Sequence, residues 1–142
     1  MSEVLASAEI TIDVPFHDVD SMGIVWHGHY AKYFEIARCA LLDRLGYNYN
    51  QMLESGFGWP VIDMRIRYAK PLRFEQKIRV RADLVEYENR LKINYQLSDP
   101  ESGKRLTKGY TVQVAVDVSN GEMLLASPPV LSEKIREYQA KC

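Results

Sequence analysis

Residues 28–45, GHYAKYFEIARCALLDRL, decide how the rest of the chain has to be arranged. Tyr30, Tyr33, Phe34, Ala37, Leu41 and Leu45 recur every three or four positions and the run stops at Gly46, which is the pattern of a helix with one apolar face and a glycine end. At about 1.5 Å per residue such a helix is about 27 Å long, enough to cross a small sheet. What flanks it is strand-like. Residues 8–16 (AEITIDVPF) alternate apolar and polar, as do Ile62, Met64, Ile66 and Tyr68 with Asp63, Arg65 and Arg67. Ile78, Val80, Ala82 and Leu84 alternate with Lys77, Arg79, Arg81 and Asp83; Leu91, Ile93, Tyr95 and Leu97 continue the series, and after a turn at 99–103 Tyr110, Val112, Val114 and Val116 complete it. Short helical pieces are predicted around 50–54 and 132–141, with a turn at Asn120-Gly121. Strands joined by short turns pair antiparallel, and a sheet with one apolar face needs an element laid on it. The predicted fold is therefore α+β, a five-stranded antiparallel sheet wrapped around one long central helix, in a single domain over residues 1–142.

Composition narrows the class. With 142 residues and 46% hydrophobic content the chain can bury one core and not two. Its 18 basic and 19 acidic residues are mixed along the sequence and leave a net charge of −1, which offers no field to a nucleic-acid backbone. No segment approaches the roughly 18 apolar residues of a membrane span, and MSEVLASAEITIDV has neither the basic start nor the apolar stretch of a secretion leader, so a cytoplasmic protein is expected. Cys39 and Cys142 make neither a disulfide framework nor a catalytic thiol and are read as bystanders. Seven cations lie between Arg65 and Arg81, namely Arg65, Arg67, Lys70, Arg73, Lys77, Arg79 and Arg81, largely at strand spacing. Two readings stand for them: a solvated outer sheet face, or phosphate binding.

The densest group of reactive residues is HDVDSMGIVWHGHY, residues 17–30, which holds all three histidines. Asp18 and Asp20 point to one side if the segment is extended. At the start of the helix none of Trp26, His27 or Gly28 is a side-chain cap of the Ser, Thr, Asp or Asn kind. First-turn N–H groups left in this way suit a carbonyl oxygen that is gaining negative charge, although Gly28 is itself an acceptable N-cap and water satisfies amides equally well. His17, Asp18, Asp20, His27 and His29 are also metal-ligand types. His27-x-His29, however, is not the i, i+4 spacing that puts two ligands on one helix face, and no further His or Cys completes a closed site. Neither a metal nor another cofactor is expected.

The pattern D-x-D-x-x-G-I-V-W-H-x-x-Y-x-x-Y-F-E-x-A-R, from Asp18 to Arg38, resembles the 4-hydroxybenzoyl-CoA thioesterase and YbgC-like branch of the hotdog-fold superfamily. Pro-Val-Ile at 60–62, R-Y-x-x-P-L at 67–72 and the strand order extend the resemblance over nearly the whole chain. It implies a hotdog fold and an acyl-CoA thioesterase acting on a small or aromatic acyl thioester; the alternatives are an acyl-ACP thioesterase and a non-catalytic acyl-thioester binding module. It further implies that Asp20 is the catalytic carboxylate, as nucleophile or general base, that Asp18 is structural, and that the backbone N–H of His27 polarises the carbonyl. The His27 side chain matches the YbgC-like branch, where the hydroxybenzoyl branch has tyrosine; His29 stands where members vary. One carboxylate and an oxyanion site suffice for such a substrate, because a thiolate leaves readily.

Gly28 and Tyr30 fall beside the substrate in this reading, Tyr30 serving the core with Tyr33 and Phe34 as well. Glu35 and Arg38 form a surface or interface ion pair, with Glu35 the reserve catalytic acid. Arg90 and Lys92 resemble the basic strand region that meets coenzyme A phosphates, or else are a solvated hairpin end. Tyr47, Tyr49, Met52, Phe57 and Trp59 line an acyl pocket or a subunit interface. The resemblance also implies homo-oligomers, dimers or tetramers, with sites formed between subunits, and the open edges of a five-stranded sheet supply a physical motive.

Overall fold

The computed structural model describes residues 3–141, so Cys142 lies outside the described residues. In chain order the elements are β1 (Ala6–Asp13), α1 (Tyr30–Leu45), α2 (Tyr49–Glu54), β2 (Phe57–Gly58), β3 (Val61–Tyr68), β4 (Lys77–Glu86), β5 (Leu91–Ser98), β6 (Arg105–Gln113), β7 (Val116–Asp117) and α3 (Pro129–Ala140). Five strands form an antiparallel sheet in the order β1-β4-β5-β6-β3, and β2 pairs with β7 in a separate two-stranded piece. β1 is two residues longer at its start than the alternation suggests and stops at Asp13, ahead of Pro15 and a 3-10 turn at Phe16–Asp18.

The long helix is where its periodicity puts it, but it opens differently. Residues 27–29 form a 3-10 turn, and α-helical bonding begins at Tyr30. At the other end Gly46 takes a left-handed conformation (φ 72°); its N–H bonds to the Asp43 oxygen and the N–H of Tyr47 to that of Leu42, the two-bond Schellman end. α1 lies on the inner face of the sheet, chiefly over β1 and β4, burying Phe34, Ala37, Leu41 and Leu42 against Ile78, Val80, Ala82, Leu84, Ile93 and Leu97. Each large side chain so buried contributes about 1.5–3 kcal/mol. α3 covers α1 and β1 from outside with Leu131 and Ile135.

The faces of β6 are the reverse of what its valines suggest. By register Thr107, Gly109, Thr111 and Gln113 stand beside the inward-facing Leu97, Tyr95, Ile93 and Leu91, which puts Tyr110 and Val112 on the outer face. The inner positions are polar or small for specific reasons. Thr111 and the Tyr95 hydroxyl share a hydrogen bond of 2.7 Å, and the Gln113 amide donates to the Trp59 carbonyl at 2.7 Å. Gly109 lets the Phe34 ring down onto the sheet, where it stacks on Tyr95 with centroids 4.3 Å apart.

The two edges of the sheet also differ. On β1 the Arg44 guanidinium donates to the Ser7 carbonyl at 3.0 Å and occupies an edge acceptor. Among the described residues β3 has no such cover: on its inner face Met64 is 44% exposed and Tyr68, although it touches Tyr30 at the start of α1, is 48% exposed. The one wet face expected of this strand is therefore two open faces. The aromatic segment after α1 is neither a pocket nor an interface for the most part. Tyr47, Met52 and Trp59 are buried, with the indole N–H of Trp59 donating to the Tyr47 hydroxyl at 3.1 Å, while Tyr49 and Phe57 stay at least partly open.

Candidate active site

Between β1 and α1 the chain folds back on itself. The Trp26 N–H donates to the Asp18 carbonyl at 3.1 Å, the Asp20 N–H to that of Ile24 at 2.9 Å, and Val19 bridges Val25. Gly23 (φ 73°) makes the turn, where a residue with a Cβ would be strained. The hairpin is fixed to residues 72–74 by Val25 N–H to Leu72 O (2.8 Å) and Phe74 N–H to Gly23 O (3.3 Å). Asp20 therefore stands at the tip of a pinned hairpin, exposed to solvent. Its Oδ1 accepts from the N–H groups of Met22 (2.8 Å) and Ile24 (3.3 Å), and among the described residues Oδ2 accepts nothing. One oxygen orients the carboxylate and the other is free.

The helix start presents the complementary groups. His29 N–H bonds to Trp26 O at 3.0 Å, but no acceptor among the described residues meets the N–H of His27 or Gly28. No side chain caps either the 3-10 turn or α1. The Trp26 indole, 53% exposed, lies directly over Gly28, so closely that any Cβ there would collide with the ring. Tyr68 reaches across from β3, donating to the His27 carbonyl at 3.3 Å and packing edge-on against Tyr30 with centroids 4.7 Å apart. Beside this contact is a cavity of about 300 Å³ lined by Ile24, His27, Tyr30, Tyr68, Lys70 and Pro71. Tyr30 thus serves both core and cavity. Asp20 is not in the lining, but its cross-hairpin partner Ile24 is, which places the carboxylate near the rim.

Asp18 has a different environment. It is 1% exposed and held by the Lys32 ammonium (2.6 Å to each oxygen) and the Tyr33 hydroxyl (2.7 Å), with ring nitrogens of His17 and His29 at 3.6 and 3.7 Å. Burial pushes its carboxyl up, but the bonds from Lys32 and Tyr33 and the Lys32 charge outweigh that and hold it below the ordinary carboxylate value. Burial, then Asp18, push the Tyr33 hydroxyl strongly up. Lys32 does not stand out by sequence motif. The readable signal is that a lysine in the first turn of a helix opposes the macrodipole and needs an acid to justify it.

The other candidates lie apart from this cleft. Arg90 pairs with Glu86 at 2.9 Å and Lys92 sits over the Tyr110 ring at 4.6 Å, at the hairpin end of the sheet. Lys92 is level with Asp63 through Val112, so it is about 17 Å along β3 from Tyr68, five residues at about 3.3 Å each. Glu35 is exposed, and its partner Arg38 (3.9 Å) is not a surface residue: it is 5% exposed, with Nη atoms 3.4 Å from the hydroxyls of Tyr95 and Tyr49. Cys39 is half-buried and burial pushes its thiol up, which suits no nucleophile. Among the described residues no group of three acidic, histidine or cysteine side chains is placed to hold a metal, and no helix is long and apolar enough to cross a membrane.

Known proteins give this geometry a context. The profile of the family described as "Thioesterase-like superfamily" matches residues 14–137. A Synechocystis sp. protein named "Putative esterase sll0410" is 30% identical over 128 residues, covering 89% of this chain and 77% of that protein. "Putative acyl-CoA thioesterase YneP" of Bacillus subtilis is 32% identical over 107 residues, 75% of this chain and 77% of that one. Among solved structures, the DHNA-CoA thioesterase of Staphylococcus aureus superposes with a TM-score of 0.82 at 26% identity, covering 94% of this chain and 91% of its own.

Proposed function

Because the chain belongs to the thioesterase-like superfamily, we propose that the cleft at the start of α1 hydrolyses an acyl-CoA thioester and that Asp20 is the carboxylate that does it. The chain is a thioester hydrolase with the hotdog fold. The observation that carries the finer reading is the division of labour within Asp20: Oδ1 is fixed by two backbone N–H groups while Oδ2 is unengaged among the described residues, beside Ile24, which lines a cavity together with His27, at the helix start that leaves the His27 and Gly28 N–H groups open. A thioester carbonyl oxygen seated on those N–H groups is stabilised as it becomes an oxyanion, with the helix dipole adding to the effect. Oδ2 then attacks the carbonyl carbon, expelling the coenzyme A thiolate and leaving a mixed anhydride that water opens to the free acid, or it takes a proton from the water that attacks directly. Tyr30 and Tyr68 flank the acyl group, and a small or aromatic acyl chain suits the cavity. Coenzyme A is the favoured carrier because two similar proteins are named as CoA thioesterases, and a cytoplasmic location goes with that substrate.

The phosphates of the carrier need more cations than Lys70, the one lysine or arginine among the residues that line the cavity. Pairing two β3 edges about a two-fold axis brings the Val61 end of one strand to the Tyr68 end of the other, and with it the hairpin end of the partner's sheet, where Arg90 stands, while Lys92 faces the outer side away from the cleft. The proposed active unit is thus a dimer, which can pair further into a tetramer. The test is kcat/KM over a panel of short-chain, long-chain and aromatic acyl-CoA substrates for the native protein and for Asp20→Ala and Asp20→Asn. Both substitutions should lower it about 10²–10⁴-fold on the best substrate with thermal stability little changed. Undiminished turnover in Asp20→Ala would remove Asp20 from the mechanism.

A further inference from the structure

Of the seven cations of residues 65–81, Lys70 and Arg73 lie between β3 and β4, and the other five fall into two groups on those strands. On β4 they are paired: Lys77 with Asp13 (3.1 Å), Arg79 with Glu9 (3.9 Å), and Arg81 with Glu9 (3.7 Å) and Asp83 (2.8 Å). On β3 they are not. Arg65 and Arg67 alternate onto the outer face of the sheet, where Arg67 stands directly across from Lys108 of β6 and Arg65 across from Tyr110. None of Arg65, Arg67 or Lys108 has an ion-pair or hydrogen-bond partner among the described residues. Side chains directly opposite on antiparallel strands have Cβ atoms about 5 Å apart, and like charges there destabilise the pair. The three cations line a depression of about 400 Å³ whose remaining wall supplies the neutral hydrogen-bonding side chains Asn94 and Gln96 of β5 together with Tyr110 and one acid, Asp83 of β4. The nearby acids are engaged, Asp83 by Arg81 and Asp63 by the Tyr110 hydroxyl at 3.3 Å.

From this juxtaposition we propose a second site, on the outer face of the sheet, in which Arg65, Arg67 and Lys108 bind a phosphate ester. Two guanidinium forks and an ammonium are matched to a phosphoryl group, which accepts several charge-assisted bonds and relieves the repulsion across β3 and β6. The concavity and the flanking amides fit a small nucleotide rather than a broad protein face. The helix and the His27 cleft are on the other side of the sheet, so this site stands whether or not that cleft hydrolyses thioesters. The phosphate belongs either to the nucleotide end of a coenzyme A substrate or to a free nucleotide.

The experiment is calorimetric titration of the native protein at low ionic strength with adenosine 3′,5′-bisphosphate, ADP and inorganic phosphate, repeated on Arg67→Gln and Lys108→Gln. Saturable binding of at least one probe, weakened about tenfold in each variant and further by salt, is expected. The same probe should raise the native melting temperature and not that of the double variant. No saturable binding to the native protein, or binding unaffected by the substitutions in protein of native circular dichroism, overturns the proposal. Turnover identifies the source of the phosphate. A fall in kcat/KM for an acyl-CoA with none for the phosphate-free acyl-N-acetylcysteamine thioester assigns it to the carrier, and lost binding with both rates unchanged assigns it to a free nucleotide.

Discussion

At Asp18 the chain buries a carboxylate and brings a lysine, a tyrosine hydroxyl and two histidines to it, whereas two residues on Asp20 is left open at a turn. The two acids look alike in the sequence and differ in what their surroundings ask of them. Asp18 joins the hairpin to the first turn of α1 through Lys32, so its charge helps to hold the His27 and Gly28 N–H groups in place. Its carboxyl is held below the ordinary value when folded, so the unfolded chain binds the extra proton as the pH falls. The stabilisation is complete above the unfolded value, about 3.9, and is lost as the pH drops through the lower folded one. Asp18→Asn should cost about 1–3 kcal/mol near neutral pH. Melting temperatures should show that gap narrowing below about pH 4, and curves that stay parallel down to about pH 3 would show that the Asp18 charge is not what stabilises the junction. Which acid was structural and which exposed followed in the sequence only from resemblance, because the deciding partners, Lys32 and the Met22 and Ile24 amides, depend on how the hairpin closes.

At the level of elements the helix, its glycine end and the strands were legible because each carries its own period or stop signal. The faces of β6 were not. Its valine alternation names one side and the register turns the other toward the helix, although Val112 is buried on its own side too, because the inner positions serve particular partners: Phe34 over Gly109, Tyr95 with Thr111, Trp59 with Gln113. Gly109 is the tightest of these contacts. A Cβ there would lie 2.8 Å from the Phe34 ring and closer still to the Arg65 carbonyl, and a backbone atom in a sheet cannot move aside. Gly109→Ala should therefore destabilise the fold by about 1–3 kcal/mol in urea unfolding. No measurable loss would mean that α1 rides higher on the sheet than its stacking distance indicates. The wet and dry sides of β3 were likewise unreadable, since alternation cannot say how far a helix reaches across a sheet.

For the whole molecule the open β3 edge is the dominant surface feature. On one edge of the sheet Arg44 occupies an acceptor, and the other shows Met64 and Tyr68, with the cleft at one end and Arg90 and Lys92 at the other. If two such edges join, Ile66, near the middle of the strand, lies near the axis. Light scattering at micromolar concentration should give a dimer or tetramer for the native chain and a monomer for Ile66→Asp, with acyl-CoA turnover lost in the monomer. A native monomer that is fully active would refute the shared site. The strand order β1-β4-β5-β6-β3 has one more consequence, in the order in which the chain assembles. Only β4, β5 and β6 are neighbours both in sequence and in space. β1 must close a loop around the helix and β3 to reach β4, and β3 must wait for the two hairpins to reach β6. Both outer pairings carry loop-closure entropy that the hairpins escape. The sheet is thus favoured to grow from its middle outward, and β3, one of the two strands recruited from a distance, is also the one at which a second chain can carry on.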